Sequence, residues 1–561
     1  MSEPSTPPPA APSTPADPAA TPADDLRARL LQATALLESV AADRGLLRDL
    51  SHDEKMRLVN AAADVFCPNL DERRKRSKQR SRQRKHERIQ AEEAVLQETG
   101  IRVLRARPVF ITPNVLPPAA LPIDEIDDIN DIDEAQPGAG PDRAADERDE
   151  RQVADPQHCY VCKQKYKEIH HFYDQLCPTC AEFNFGKRTE SADLRGRVAL
   201  LTGGRVKIGY QAGIKLLRAG AHLIVTTRFP RDAAQRYAQE PDFAAWSDRL
   251  EVFGLDLRHT PSVEAFCHHL LTTRGRLDYI VNNACQTVRR PPEFYQHMMA
   301  VETAALHDLP PEVRKLVGAY EGLRSYALPG QHGHGDGNGD GHRDRAALLG
   351  PTAAAAPLAA GLTHPAELSQ APLLPGDLGD AHLFPQGQLD QDLQQIDLRE
   401  RNSWRLTLHE VSSVELLETQ LVNAVAPFVL NARLKALMLA TPERDKHIVN
   451  VSAMEGQFYR KLKTTRHPHT NMAKAALNMM TRTSAADYHA DGIHMNSVDT
   501  GWINDEDPAH IAARKQAEQR FHPPLDIVDG AARIVDPILV GANTGKHVWG
   551  QFLKDYAPTD W

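Results

Sequence analysis

The sequence lacks the features that would place the protein in a membrane or outside the cell. No apolar run reaches the roughly 20 residues that a helix needs to cross a bilayer. The Pro-, Ala- and Ser-rich start, 1–21, lacks the apolar core of a signal peptide. We therefore expect a soluble, cytoplasmic protein with no membrane partner.

Cysteine is scarce, with seven in 561 residues, but four of them form two C-x-x-C pairs with fourteen residues between the pairs. In a large intracellular chain this pattern favours metal binding over disulfides. Two C-x-x-C turns offer four thiolates, which suit a tetrahedral structural zinc site. The predicted zinc ligands are Cys159, Cys162, Cys177 and Cys180. His170 and His171 lie between the pairs as competing ligands, and the alternative is four unrelated surface cysteines.

The net charge of −9 hides a strong separation of charge along the chain. Residues 73–88 hold ten Lys or Arg against one acid, whereas 124–134 hold seven acids in eleven positions. The basic segment 73–88 could bind nucleic acid or a protein partner, or direct the chain to the nucleus. The alternative is a solvated charged helix. The segment contains no aromatic residue, so base stacking has no support.

Composition and apolar periodicity divide the chain into seven parts. We predict disorder over 1–24, a helical segment over 25–68, a basic helical segment over 69–122, an acidic linker over 123–154, a four-cysteine zinc module over 155–190, one α/β domain over 194–300 and 401–561, and a low-complexity insertion over 301–400. A long insertion is either a lid or disordered, and the Gly-, His- and Asp-rich tract 330–342 favours disorder. We expect deletion of 310–398 to leave the fold intact.

The α/β domain begins with a strand, a glycine-rich turn and a helix. An apolar run ends at Thr202, two glycines and then Gly209 follow, and a second apolar strand begins near 222. Glycines let the backbone approach a pyrophosphate, and the helix N-terminus offers free N–H groups to it. With further strands predicted at 250–256, 277–284, 446–453 and 493–499, we expect a doubly wound, parallel sheet of Rossmann type. An α/β unit without a nucleotide is the alternative.

Several separate motifs follow one another in the order found in the short-chain dehydrogenase/reductase superfamily. They are Thr202-Gly203…Gly209, Leu255-Asp256, Asn282-Asn283-Ala284, Asn423, the segment 449–453, Lys474 and Asn496…Gly501. On these residues the chain resembles that superfamily over 194–300 and 401–561. The resemblance implies an oxidoreductase that passes hydride between NADP, or NAD, and a carbonyl or alcohol substrate. It also implies a small-molecule substrate and allows a homo-oligomer.

The resemblance also implies roles for individual residues. The cofactor-binding residues would be Thr202, Gly203, Gly204, Arg205, Lys207, Ile208, Gly209, Arg228, Asp256, Leu257, Asn282, Asn283, Ala284 and Lys474. Asp256 and Leu257 would contact adenine, and Asn423 would hold a proton-relay water. Arg228 directly follows the second strand, where an acid would bind a ribose 2′-hydroxyl and an arginine suits a 2′-phosphate. NADP is therefore expected over NAD, unless Arg228 only faces solvent.

The chain departs from the family pattern in its turns and in its catalytic residues. Lys207, Cys285 and Thr500 stand where two glycines and a proline are usual. The family's catalytic Tyr precedes the Lys by four residues, so the two face each other across one helical turn. Here that position is Thr470, four before Lys474, and its hydroxyl lacks the acidity of a phenol.

The family's catalytic Ser position also falls on another residue. Its register puts Ala453 there, with Ser452 one place earlier. A shift of one residue in a strand turns the side chain to the other face. Ser452 is therefore either structural or, if a bulge intervenes, catalytic.

A proton donor for the reaction would then have to come from the long segment 454–469. Tyr459 is the only phenol in it and is the first candidate, with Glu455, His467 and His469 as competitors. The segment could equally line the substrate side without taking part in the chemistry. If no donor remains, the protein is a pseudoenzyme, a nucleotide-binding scaffold that binds protein or RNA.

Overall fold

The computed structural model describes residues 22–66, 70–113, 151–327, 363–379, 381–459 and 463–561. These residues belong to two compact units, Met1–Ala91 and Glu92–Trp561. The first unit contains α1 (Pro22–Ala42), α2 (His52–Phe66) and most of α3 (Leu70–Gln97), which carries the basic segment. The predicted disorder of 1–21 and residues 123–150 of the acidic linker lie outside the described residues.

The second unit contains the remaining elements. The strands are β1 (Gln152–His158), β2 (Lys165–Glu168), β3 (Val198–Thr202), β4 (His222–Thr227), β5 (Leu250–Gly254), β6 (Tyr279–Asn282), β7 (Lys446–Ser452), β8 (Ile493–Asp499), β9 (Phe552–Lys554) and β10 (Ala557–Thr559). The helices are α4 (Gly100–Ala106), α5 (Pro178–Thr189), α6 (Lys207–Arg218), α7 (Pro230–Ala238), α8 (Thr260–Thr273), α9 (Pro292–Glu302), α10 (Pro311–Ala327), α11 (Pro365–Leu368), α12 (Ser413–Gln420), α13 (Ala426–Met438), α14 (Pro468–Ala490), α15 (Ala509–Gln519) and α16 (Ile527–Thr544).

An eight-stranded sheet organises this unit. Its strand order is β10-β9-β8-β7-β6-β3-β4-β5, and every neighbouring pair except β9–β10 is parallel. The predicted doubly wound, Rossmann-type α/β fold is confirmed. The chain enters the sheet at β3 and forms one half of it through β4 and β5. It then returns to the centre and forms the other half from β6 onward. The strand order therefore reverses between β3 and β6, which is where open α/β sheets bind ligands.

Both faces of the sheet are buried, as expected for parallel strands covered by helices. Successive residues of a strand point to opposite faces. Leu201 and Val225 belong to one apolar cluster with α6 and α16, whereas Leu200 and Ile224 belong to another with α8, α13 and α14. These two clusters form the core of the domain.

One helical stretch has the length and composition of a membrane span. Among the described residues, Ser413–Met438 is long and apolar enough to cross a bilayer by these two measures. It is not an uninterrupted apolar run, since it contains Glu415, Glu418, Arg433 and Lys435. The stretch packs on the sheet, with Leu430, Leu434 and Met438 fully buried in the second core cluster. A core helix satisfies the same criterion, and this stretch serves as one here.

The expected disorder of the insertion 301–400 is wrong for its described parts, 301–327, 363–379 and 381–400. α10 contacts the edge strand β5 and buries Leu316 and Val317 in the first core cluster. Tyr320 enters the second cluster, where its ring lies 2.4 Å from the position of a Cβ added to Gly254. α10 thus covers a strand edge that would otherwise expose unpaired backbone groups. Deleting 310–398 would remove this cover.

We predict that Leu316→Ala lowers the free energy of unfolding by about 3 kcal/mol, because the substitution leaves a cavity between α10 and the core. Denaturant unfolding measures this change. Lys315→Ala, at an exposed position of the same helix, is the control and should change stability by less than about 0.5 kcal/mol. If the two variants are equally stable, α10 does not belong to the folded core.

Candidate active site

A cleft of about 1290 Å³ opens at the carboxyl ends of the central strands. The loops that follow β3, β4, β5, β6, β7 and β8 all contribute to its lining. Two further parts of the chain add to the wall. Asp390 and 394–397 come from the insertion, and Tyr160 and Lys163 come from the four-cysteine module.

The glycine-rich turn forms the floor of the cleft at the switch point. Gly203 has a φ of +70°, and a Cβ on it would lie 2.9 Å from the Cα of Ala284. A Cβ on Gly209 would lie 2.2 Å from the carbonyl oxygen of Gly203. Both positions therefore need glycine. α6 starts at Lys207 without a side-chain cap, so its first N–H groups can receive an anion.

Three hydrogen bonds join the end of β3 and its turn to the loop after β6. The Ala284 N–H donates to Thr202 Oγ1 at 3.0 Å, and Asn283 Nδ2 donates to the Thr202 and Gly203 carbonyls, both at 3.1 Å. The predicted cofactor residues of these two segments that line the cleft are Gly203, Arg205, Lys207, Ile208, Gly209, Asn283 and Ala284. Thr202 and Gly204 lie behind the lining, where Thr202 supports Ala284 and Gly204 packs on Val225.

Asn282 also lies behind the cleft rather than in its wall. Its Nδ2 donates to the Oδ1 atoms of Asn431 and Asn450, both at 2.8 Å. Asn450 Nδ2 in turn donates to Thr481 Oγ1 at 3.0 Å, and all four residues are buried. This network joins β6 and β7 to α13 and α14 and holds the floor of the cleft in place.

Arg228 and Arg205 differ in how far their charges are already neutralised. Arg228 is half-buried, lines the cleft and stacks on Tyr295, with its guanidinium carbon 4.6 Å from the ring centroid. Among the described residues, no carboxylate lies within salt-bridge distance of it. Arg205 is buried, and its Nη1 lies 2.8 Å from Asp232 Oδ2. Its Nη2 donates to Gln394 Oε1 at 2.6 Å, so Arg205 is committed to the protein.

Asp256 and Leu257 line the cleft in the loop after β5. Arg258 Nη2 donates to Asp256 Oδ2 at 2.6 Å. Burial opposes ionisation of Asp256, but the hydrogen bonds and the charge of Arg258 outweigh it and hold the pKa of this carboxyl below its usual range. The carboxylate predicted to contact adenine is therefore already paired.

Lys474 and Ser452 both line the cleft. Lys474 donates from Nζ to the Val451 carbonyl at 2.7 Å. Ser452 is buried, and its Oγ has no hydrogen-bond partner among the residues that the structure describes. β7 and β8 pair in continuous register from Lys446 through Ser452, so the strand shows no bulge that would move Ser452 to the family position.

Asn423 lies in a turn of π-helix, Leu421–Val425, between α12 and α13. Its Oδ1 accepts from the Gln286 N–H at 2.7 Å, and its Nδ2 donates to the Gln286 carbonyl at 3.1 Å. The side chain is buried and holds the loop after β6, outside the lining of the cleft. π-Helical turns inside α-helices are frequent at functional sites.

The structure separates the candidate proton donors. Glu455 and His467 line the cleft, and His467 stacks on Trp404 with ring centroids 3.9 Å apart. Tyr459 is 93% exposed and does not line the cleft, so its proposed role loses its support. His469 is buried, with Nε2 3.4 Å from Glu415 Oε1, also away from the lining.

Thr470 stands behind the lining as well. Its hydroxyl is buried, and within the described part of the chain it has no hydrogen-bond partner. The next residue, Asn471, lines the cleft instead and was missed by sequence reasoning. Its spacing of three from Lys474 on one helix could have indicated it, since residues three apart are neighbours on a helix surface.

Asp499 and Lys554 form a second charged group in the cleft. Lys554 Nζ lies 3.6 Å from Asp499 Oδ2. Burial raises the pKa of Asp499, and the nearby ammonium offsets this only in part. Neither residue was predicted, because they come from the ends of two strands far apart in the chain.

The four predicted zinc ligands come together. Their Sγ atoms all lie within 4.8 Å of one another, and those of Cys162 and Cys177 are 3.7 Å apart. Sulfurs about 2.3 Å from a tetrahedral zinc are about 3.8 Å apart. The thiolate set therefore fits zinc, and neither His170 nor His171 belongs to the group.

Buried ion pairs fix the cysteine module to the start of α16. Arg188 Nη1 lies 2.7 Å from Asp526 Oδ1 and 2.9 Å from Asp529 Oδ1. The Tyr173 hydroxyl donates to Asp529 at 2.5 Å. Burial works against the charge of Arg188, but the two carboxylates outweigh it and raise the pKa of the guanidinium above its usual range.

We predict that Lys207→Gly raises the free energy of unfolding by up to about 1 kcal/mol, because Lys207 has a φ of +56° that disfavours residues with a Cβ. Thermal and denaturant unfolding measure the change. Lys207→Ala is the matched control, since it removes the charge but keeps the Cβ. Stabilisation by alanine equal to that by glycine would show that the ammonium, not the backbone, causes the effect.

Comparison with known proteins places this site in a family. Residues 197–305 match the family model described as short chain dehydrogenase, and residues 401–525 match the one described as Enoyl-(Acyl carrier protein) reductase. These segments lie on either side of the insertion and cover the turn after β3, β6, β7 and Lys474.

Relatives match the chain over very different lengths. An uncharacterized protein of Acanthamoeba polyphaga mimivirus is 28% identical over 407 residues, 71% of this chain and 74% of its own. Dehydrogenase/reductase SDR family member 13 of Bos taurus is 32% identical but matches 18% of this chain and 27% of its own. Retinol dehydrogenase 14 of Mus musculus is 35% identical over 16% of this chain and 30% of its own.

Among solved structures, a short chain dehydrogenase from Burkholderia cenocepacia in complex with NADP covers 64% of this chain and 96% of its own, at 16% identity and a TM-score of 0.37. The class of protein is set by the two family models together with the doubly wound sheet. Over the two matched segments, 197–305 and 401–525, the chain belongs to the short-chain dehydrogenase/reductase superfamily.

Proposed function

We propose that the protein is an NADP(H)-dependent oxidoreductase that acts on a small carbonyl or alcohol substrate. The observation that carries the proposal is the cleft at the β3/β6 switch point, which is lined by the glycine turn, the uncapped start of α6 and Lys474. Such a turn suits a pyrophosphate. Arg228, with no carboxylate among the described residues to neutralise it, is available to a 2′-phosphate.

The chemistry follows from the cofactor and from the residues around it. Bound NADPH would supply a hydride to a carbonyl carbon, whose oxygen takes up one proton to give the alcohol and NADP⁺. Lys474 would hold the cofactor at the reaction end of the cleft, as its family position suggests. Glu455 and His467 line the same cleft and are the remaining proton donors from 454–469.

We predict that Arg228→Asp weakens NADPH binding by about 10- to 100-fold, because a charge-assisted hydrogen bond to the 2′-phosphate is replaced by repulsion. NADH binding should be unchanged or stronger. Isothermal titration with both cofactors gives the two dissociation constants. Arg195→Asp, which changes an arginine paired with Asp193 on the surface, is the control. Wild-type protein that binds NADH as tightly as NADPH would refute the assignment.

We also propose that the cysteine cluster holds one structural zinc ion. Elemental analysis should give one zinc per chain, and Cys177→Ser should lower both zinc content and thermal stability, because structural zinc contributes folding free energy. Cys285→Ser, outside the cluster, is the control for losing a thiol. Freshly purified, unchelated protein without zinc would exclude this site.

A second candidate function is a nucleotide-binding scaffold without turnover. Thr470 in place of the phenol, and the exposed position of Tyr459, favour it. In that case the basic segment on α3 would be the surface for a protein or RNA partner. A broad screen of aldehydes and ketones with NADPH separates the two candidates, since tight cofactor binding with no turnover of any compound supports the scaffold.

A further inference from the structure

Tyr160 brings a phenol into the cleft from outside the α/β domain. It follows the predicted zinc ligand Cys159, and its side chain lines the cleft. The hydroxyl oxygen accepts a hydrogen bond from the Trp502 N–H at 3.1 Å. A Cβ added to Gly501 would lie 3.5 Å from the same oxygen. The phenol thus reaches the loop after β8, at the carboxyl edge where this fold binds ligands.

The ring is held from several directions. Lys554 Nζ lies 5.2 Å and Lys163 Nζ 4.9 Å from the ring centroid, within the range of cation–π attraction. The Tyr160 N–H donates to the Gln175 carbonyl at 2.9 Å. The cysteine cluster restrains the backbone on both sides of the residue, at Cys159 and at Cys162. The phenol is therefore preorganised before a ligand arrives.

The Tyr160 hydroxyl can still donate a hydrogen bond. Its oxygen is an acceptor for Trp502, but its proton has no acceptor among the residues that the structure describes. A half-buried O–H that lines a cleft gains from an acceptor on a ligand. We propose that Tyr160 donates a hydrogen bond to a carbonyl oxygen of the bound ligand, so that the cysteine module completes the site.

This proposal rests on the proposed function and names a contact within it. The carbonyl oxygen can come from two sources, the carboxamide of the nicotinamide or the substrate. The contact gives the cysteine module a part in binding as well as in stability. It also places a phenol in the cleft of a chain whose family position for one holds Thr470.

The test compares Tyr160→Phe with Tyr166→Phe. Tyr166 belongs to the same module, but its hydroxyl donates to the Asp174 carbonyl at 2.9 Å and does not line the cleft. Calorimetry measures dissociation constants for NADPH and for adenosine 2′,5′-bisphosphate, which lacks the nicotinamide. Saturation-transfer NMR measures cyclohexanone binding to the NADP⁺ complex of the full-length protein.

We expect Tyr160→Phe to weaken either NADPH or cyclohexanone by about three- to tenfold, as loss of one hydrogen bond does, with the bisphosphate unchanged. A loss confined to NADPH assigns the contact to the carboxamide, and one confined to cyclohexanone assigns it to the substrate. Unchanged binding of both, or an equal loss in Tyr166→Phe, overturns the proposal. If the wild-type protein binds none of the three probes, the proposed function is refuted, and the Tyr160 contact is refuted with it.

Discussion

The parallel pairing of β3 with β4 on one side and β6 on the other is the constraint on which the rest of the structure depends. Leu200 in β3 lies between Ile224 and Ile280, because the chain returns after β5 to pair β6 with the free side of β3. The strand order therefore reverses between β3 and β6, and the crevice of an open α/β sheet lies at such a reversal. Hydrogen bonds from Ala284 to Thr202 and from Asn283 to Gly203 fix its floor. The glycine turn, Arg228 and Lys474 can line one cleft because each belongs to a segment that leaves the carboxyl end of a strand of this sheet: β3, β4 and β7.

Two additions to the sheet alter the site that the fold alone would give. The insertion contributes Gln394, which binds Arg205, and Asp377, which forms an ion pair with Arg289. The cysteine module contributes Tyr160 and Lys163 to the lining of the cleft. Arg205 illustrates the result. It is well placed by sequence to meet a phosphate, but Asp232 and Gln394 already bind it. Arg228 donates to the Tyr295 hydroxyl, and no carboxylate among the described residues lies within salt-bridge distance of it.

The module is attached by charge as much as by apolar packing. Arg188, Asp526 and Asp529 are buried together, and the removal of one partner from such a group leaves an uncompensated charge. The two carboxylates also cap the start of α16, since Asp526 accepts from the N–H groups of Val528 and Asp529. The same residues thus cap the start of α16 and hold the cysteine module against it. The position of Tyr160 therefore depends on the integrity of α16.

The local parts of this protein could be read from its sequence. The apolar runs give the strands, the glycines at 203 and 209 give the turn, and the cysteine spacing gives the cluster, because each depends on neighbours within a few residues or on a short repeat. Contacts between distant segments could not be read in this way. That α10 would cover β5, that Arg205 would be bound by Gln394, that Tyr459 would face solvent and that Tyr160 would enter the cleft were decided by the tertiary structure. Each of these depends on where a side chain far along the chain comes to rest, and local propensity carries no information on that.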